Sequence, residues 1–179
     1  VTLYTRKDTI DQTRIFSGKI FSVSLDKVQS SGAKQVTCEV VEHNGGVVIA
    51  CQPAPEEIFL IRQYRYAVDE ELIELPAGRV NQGEDRLAAA KRELIEETGY
   101  EAAAWKELPP MFSAPGFCTE LLTAYLATDV KWVGKRLDED EETDVFKVTL
   151  KEAWQLVMSG KVRDAKTMAV LGMVCHGDS

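Results

Sequence analysis

The sequence predicts an α/β/α sandwich, with a mixed sheet between helical layers and a small N-terminal antiparallel β-subdomain in front of it. Three observations lead there. Phe21, Val23 and Leu25 alternate with polar neighbours, Ser30-Ser31-Gly32 marks a turn, and Val36, Cys38 and Val40 alternate again, the period-two pattern of a hairpin with one covered face. Residues 47–50 (VVIA) and 58–61 (IFLI) are continuous apolar runs, as expected of strands buried on both faces. Leu87, Ala88, Leu94 and Ile95 recur at helical spacing, enough for one apolar stripe. The boundaries follow as residues 1–43 for the β-subdomain and 44–179 for the α/β domain.

Taken in order, residues 1–16 are polar with scattered apolar side chains and define no element. Asn44-Gly45-Gly46 leads into the first buried run, and Pro53-Ala54-Pro55 separates it from the second. That second strand continues into Arg62-Gln63-Tyr64-Arg65-Tyr66, and Leu72-Ile73-Glu74-Leu75-Pro76-Ala77-Gly78 brings another strand to a glycine turn. Ala103 and Trp105 mark a strand that Pro109-Pro110 is expected to stop; residues 113–120 (SAPGFCTE) form a loop and residues 121–127 a strand. A long acidic loop spans 134–143, of the kind that in compact domains is usually functional or disordered. Val145, Phe146, Val148 and Leu150 give a last strand. Thr149 and Glu152 have the spacing of a helix capping box, Trp154, Leu156 and Val157 supply that helix's apolar side, and a final helix starts near Asp164 and uses Ala165, Met168, Ala169 and Leu171.

Charge narrows the function. With 21 Lys+Arg against 29 Asp+Glu the chain carries −8, a poor footprint for a nucleic-acid backbone. Much of the acid is local, in residues 84–97 and 138–144. Cys38, Cys51, Cys118 and Cys175 show no metal-ligand or disulfide spacing, and two histidines, His43 and His176, are too few for a histidine-rich zinc site. No apolar run approaches a membrane span and no signal-peptide pattern is present. The expectation is a soluble, cytoplasmic protein with neither membrane nor nucleic acid as partner.

The chemistry concentrates in residues 78–100, GRVNQGEDRLAAAKRELIEETGY. Successive helical residues advance about 100°, so Glu93 and Glu97 lie one above the other with Glu96 on the adjoining strip. Like charges so placed repel and raise one another's pKa unless a cation joins them. With oxygen donors alone, the fitting cation is Mg²⁺ or Mn²⁺. Arg62 and Arg65 flank Tyr64 and, beside such a site, suit phosphate oxygens, because guanidinium donors match them in pairs.

Gly78, five residues, Glu84, seven residues, then Arg92-Glu93-Leu94-Ile95-Glu96-Glu97-Thr98-Gly99-Tyr100 resembles the Nudix box of the Nudix hydrolases, with every charged and glycine position filled. Tyr100 in the last place, the upstream run RQYRY…ELPAG and Pro115, fifteen positions beyond Tyr100, resemble the ADP-ribose pyrophosphatase branch. The resemblance implies a Nudix-type α/β/α fold and a Mg²⁺-dependent hydrolysis of ADP-ribose, or a related nucleoside diphosphate sugar, to AMP and ribose 5-phosphate. It further implies a homodimer paired through the N-terminal sheet. As metal ligands it implies Glu93, Glu96, Glu97, Glu141 and the backbone carbonyl of Ala77, with Arg92 orienting the carboxylates and Glu84 at the helix start. Glu139 and Glu141 match the two positions that serve as base or metal ligand, with the assignment between them open, and Glu96 belongs to the same catalytic set. Substrate contacts are expected at Arg62, Arg65, Tyr64, Pro115 and Glu120. The alternatives are a Nudix hydrolase of another diphosphate, such as a dinucleotide polyphosphate or GDP-mannose, and a non-catalytic ADP-ribose-binding module. The binding module predicts an eroded box and an added basic DNA-binding domain, neither of which the sequence carries.

Overall fold

A computed structural model describes residues 3–30, 32, 34–135 and 143–177. By contact the chain divides into two compact units, Val1–Gly45 with Phe112–Leu121, and Gly46–Met111 with Leu122–Ser179.

In the first unit a 3-10 turn at Arg6–Asp8, capped by Thr5, precedes three antiparallel strands in sequence order: β1 (Thr9–Ser17), β2 (Phe21–Gln29) and β3 (Gln35–His43). The expected hairpin is β2–β3. It gains a third strand from residues whose pattern defined nothing, because β1 has no buried position to generate a periodicity. Instead Ile10, Ile15 and Phe16 of β1, with Ile20 and Phe21 beyond it, stand exposed. The 113–120 loop runs beside β3, with the Val41 amide donating to Phe117 O at 2.8 Å and the Thr119 amide to Val41 O at 2.9 Å.

The second unit holds β4 (Gly46–Cys51), β5 (Glu57–Arg65), β6 (Glu70–Glu74), β7 (Ala77–Arg79), α1 (Arg86–Thr98), β8 (Tyr100–Phe112), β9 (Leu121–Trp132), β10 (Thr143–Thr149), α2 (Leu150–Met158) and α3 (Ala165–His176). They form a mixed sheet β7-β4-β9-β8, in which β4 runs parallel to β9 and antiparallel to β7, and an antiparallel sheet β10-β5-β6. Both apolar runs are buried, as read. On β4, Val47, Ile49 and Cys51 pack with Ala89, Ala90 and Leu94 of α1, while Val48 and Ala50 pack with Ala153, Val170 and Leu171 of α2 and α3. Strand alternation between two helical layers is what makes this a sandwich. Burial also pushes the Cys51 thiol up to about 12, leaving it a packing residue.

Two boundaries differ from the sequence reading. Strand β8 runs through Pro109-Pro110 to Phe112; it lies at the sheet edge beside β9 alone, where missing amide donors cost little. The strand entering the glycine turn divides at Leu75-Pro76 into β6 and β7. The capping box is present, with the Thr149 hydroxyl accepting the Glu152 amide at 3.1 Å and Glu152 accepting the Thr149 amide at 2.8 Å.

A buried ion network ties β5, β6 and α3 together. Glu74 is 1% exposed and accepts both arms of the Arg65 fork at 2.7 Å and the Lys166 ammonium at 2.5 Å. Asp164, the N-cap of α3, holds Lys166 at 2.9 Å and also accepts from the Thr167 amide. The Thr167 hydroxyl in turn accepts the Leu75 amide at 2.9 Å, next to the chain break at Pro76. Burial raises the Glu74 carboxyl, but the Arg65 fork and the Lys166 charge outweigh it and leave it below the usual carboxylate range. Its contribution to stability is therefore complete above the unfolded value of about 4.3 and is withdrawn as pH falls through the folded value. Replacing one member of such a pair leaves uncompensated buried charge, at a cost on the order of 3 kcal/mol. Glu74→Gln should thus lower Tm at pH 7 by roughly 6–12 °C, and thermal unfolding of both proteins from pH 7 to pH 3 should show the gap narrowing below about pH 4.3.

Candidate active site

Helix α1 carries the charge cluster. Asp85 caps it by accepting the Ala88 amide at 2.9 Å, and Gly99 ends it at φ 78, a left-handed position suited to glycine. Its buried side differs from the apolar stripe read in the sequence. Leu94 is fully buried, but Ala88 is exposed and Leu87 and Ile95 are half-buried, while Ala89 and Ala90 enter the core together with Glu93 and Glu97. The acids thus face inward, toward β7 and the start of the box.

Glu97 is 2% exposed and its Oε2 accepts the Ala77 amide at 2.8 Å. Its own backbone carbonyl accepts the Thr143 hydroxyl at 2.9 Å. Glu93 is 8% exposed, and its carboxylate lies so close to Gly78 that a Cβ there would fall 1.9 to 2.2 Å from it. Only glycine leaves that room. The two buried carboxylates therefore meet the chain at one place, the start of β7 at Ala77-Gly78.

Arg92 answers the remaining negative charge. Its Nη1 donates to Glu93 at 2.8 Å and Glu96 at 2.7 Å, its Nε and Nη2 fork onto Glu84 at 3.0 and 3.2 Å, and Nη2 also reaches Arg79 O at 3.1 Å. The Glu84 bond is the strongest influence on Arg92; it raises the guanidinium above its ordinary value despite partial burial, and Glu93 and Glu96 add to it. Arg92 in turn holds Glu84 below the usual carboxylate range. Glu84 precedes the helix and accepts the Asn81 amide at 2.8 Å, so it fastens the glycine loop to α1.

Among the described residues, no three His, Cys, Asp or Glu side chains are gathered into a set that could hold one ion; Glu96 turns to Arg92 while Glu93 and Glu97 turn to Ala77-Gly78. The donor class nevertheless fits a hard divalent cation. Two buried carboxylates and a strand end that offers a carbonyl supply oxygen only, and the room at Gly78 keeps the Glu93 carboxylate there.

Strand alternation separates the substrate candidates on β5. Arg62 and Tyr64 share one face: Arg62 pairs with Asp144 at 2.8 Å and lies 4.3 Å over the Phe146 ring, and the Tyr64 hydroxyl donates to Asp69 at 2.5 Å. Ile61, Gln63 and Arg65 share the other. Arg65 is forked on the buried Glu74, which raises it most, and the Glu97 carboxylate adds to that field. Pro115 and Glu120 belong to the first unit, where Ala114 O accepts the Phe117 and Cys118 amides and Glu120 lies 3.4 Å from His43 Nδ1. Glu139 and Glu141 lie outside the described residues. Sequence reasoning assigned no role to Glu74, Lys166, Gln63 or the cap Asp85. An acid set between Ile73 and Leu75 in a strand was the one available signal for Glu74; nothing local marks Lys166, whose partner is 92 positions away.

The NUDIX domain model matches residues 42–171. The chain is 35% identical over 161 residues to the ADP-ribose pyrophosphatase of Bacillus subtilis (strain 168), covering 89% of this chain and 87% of the relative. It is likewise 35% identical to the methanol dehydrogenase activator of Bacillus methanolicus over 162 residues, 89% and 88% of the two chains. The ADP-ribose pyrophosphatase of Mycobacterium tuberculosis (strain ATCC 25618 / H37Rv) is 35% identical over 170 residues, 93% and 81%. A solved structure of an ADP compounds hydrolase superposes with TM-score 0.84 over 97% of this chain and 93% of its own, at 21% identity, a level that speaks for the fold alone. With a family model spanning most of its length and relatives above 30% identity along nearly all of it, this chain belongs to the Nudix family.

Proposed function

We propose that this protein is a Nudix pyrophosphohydrolase that uses Mg²⁺ to hydrolyse the diphosphate of ADP-ribose, or a related nucleoside diphosphate sugar, to AMP and ribose 5-phosphate. The observation that supports the reading is the complete, hydrogen-bonded box: Arg92 bound to Glu84, Glu93 and Glu96, and Glu97 bound to the Ala77 amide. A non-catalytic module has no use for two carboxylates buried against one strand end, since each costs desolvation. The two ADP-ribose pyrophosphatases among the relatives support the substrate class.

Glu93 and Glu97, with the Ala77 carbonyl, would hold the cation; Glu96, and Glu141 from beyond the described residues, complete the set. When bound, such a cation clamps diphosphate oxygens, acidifies water and offsets transition-state charge. Arg92 keeps the carboxylates aimed, as partners behind metal ligands do. Arg65, already fully charged and on the side of Glu97, offers the substrate phosphates a guanidinium face. Either Glu139 or Glu141 takes the proton from the attacking water. The four cysteines are unpaired, in keeping with a reducing, cytoplasmic setting. Ile10, Ile15, Phe16, Ile20 and Phe21 stand exposed on and beside β1, the Phe16 and Phe21 rings 5.5 Å apart, and we assign this apolar surface to pairing with a second copy.

Glu93→Gln and Glu97→Gln should each fold and lose at least about a hundredfold in kcat, some 2.7 kcal/mol of transition-state stabilisation. Turnover at saturating Mg²⁺ measures this; near-normal rates in either variant contradict the assignment. In a panel of diphosphates, kcat/KM for ADP-ribose should exceed that for diadenosine polyphosphates, NADH or GDP-mannose by at least about tenfold, and Arg65→Ala should narrow that lead. A better rate with GDP-mannose would move the substrate and keep the hydrolase. Light scattering at micromolar concentration should give the mass of a dimer, and Ile15→Lys with Phe16→Lys should return a monomer.

A further inference from the structure

Among the described residues, one buried side-chain polar atom has no hydrogen-bond partner: Gln63 Oε1. The residue is 9% exposed, near the end of β5, two positions before Arg65. Leaving a buried acceptor unsatisfied costs about 1–3 kcal/mol, and native chains keep few such groups. A leucine or methionine would fill the same space without that cost.

The neighbours say what the oxygen faces. Gln63 shares its strand face with Ile61 and Arg65 and stands opposite Thr143 of β10 and Leu72 of β6. Thr143 donates its hydroxyl to the Glu97 carbonyl, and Arg65 sits in the field of the Glu97 carboxylate. Gln63 thus stands opposite the residue that holds the Glu97 backbone, and on one face with an arginine whose charge the Glu97 carboxylate favours. An amide oxygen needs a donor. Ionised diphosphate oxygens have no proton to give, and Arg65 and Lys166, turned to Glu74 and Asp164, give Gln63 Oε1 no hydrogen bond. Water polarised by a divalent cation is a strong donor.

We infer that Gln63 is a positioning residue whose buried amide oxygen accepts a hydrogen bond from water held by the cation at Glu93 and Glu97. The inference rests on the metal-dependent reading above. It also explains why the RQYR segment places a polar residue inside a strand otherwise buried from Ile58 to Ile61.

The test compares wild type with Gln63→Met and Gln63→Leu, two apolar replacements so that failure of one to fold leaves the other, and with Gln63→Glu, which keeps an oxygen acceptor. Three quantities are measured: Tm of the metal-free protein, Mn²⁺ affinity by calorimetry, and kcat and KM for ADP-ribose. In the apolar variants the metal-free Tm should hold or rise, Mn²⁺ binding should weaken at least threefold, and kcat should fall at least tenfold with KM within about twofold; Gln63→Glu should recover much of the Mn²⁺ affinity. Unchanged Mn²⁺ binding and kcat in the apolar variants overturns the inference, as does a loss of kcat that tracks a loss of metal-free Tm, which would make Gln63 a packing residue. A wild type that binds no Mn²⁺ and hydrolyses no diphosphate defeats the functional reading and this inference together.

Discussion

Two carboxylates buried on one helix face are the constraint on which the rest of this structure depends. Left alone, Glu93 and Glu97 would be neutralised or drawn out into water. The chain holds them with local devices: the Ala77 amide on Glu97, the absent side chain of Gly78 beside Glu93, and Arg92 spread over Glu84, Glu93 and Glu96. Each device depends on a fold feature. The Ala77 amide is available because Pro76 interrupts the strand, and that break is fixed from both sides, by the Ile49 amide on Pro76 O at 2.8 Å and the Leu75 amide on Thr167. Arg92 reaches Glu84 because Asp85 starts the helix one residue later.

Alternation along β5 then decides which side chains can serve that helix. One residue of register sends Arg62 to Asp144 and Phe146 and sends Gln63 and Arg65 to the face of Thr143 and Glu74. The Glu74 network has a further consequence. It holds Arg65 at one orientation and fastens the start of α3 next to the Pro76 break, so a single buried acid steadies both that arginine and the chain entering the box.

Much of this was legible in the sequence because its signals are local. Continuous apolar runs announced β4 and β5, Thr149 and Glu152 announced the start of α2, and the spacing from Gly78 to Tyr100 announced the family. What was not legible depends on partners far along the chain. Pro109-Pro110 reads as a stop unless the strand is known to lie at an edge. Ala88 and Ala90 look equivalent until the helix is packed, when Ala90 goes inside and Ala88 does not. Strand β1 lacks a period because none of its residues is buried in its own unit. Arg62 and Arg65 look like a pair until strand parity parts them.

The central claim is that the inward-facing box carboxylates are a divalent-cation site. Anomalous scattering from Mn²⁺-soaked crystals tests it most directly, because it locates the ion without reference to turnover. The account predicts a peak about 2.1 Å from oxygens of Glu93 and Glu97 and from the Ala77 carbonyl. A fully occupied peak elsewhere on the protein, with Glu93 still on Arg92 and Glu97 still on the Ala77 amide, would contradict it.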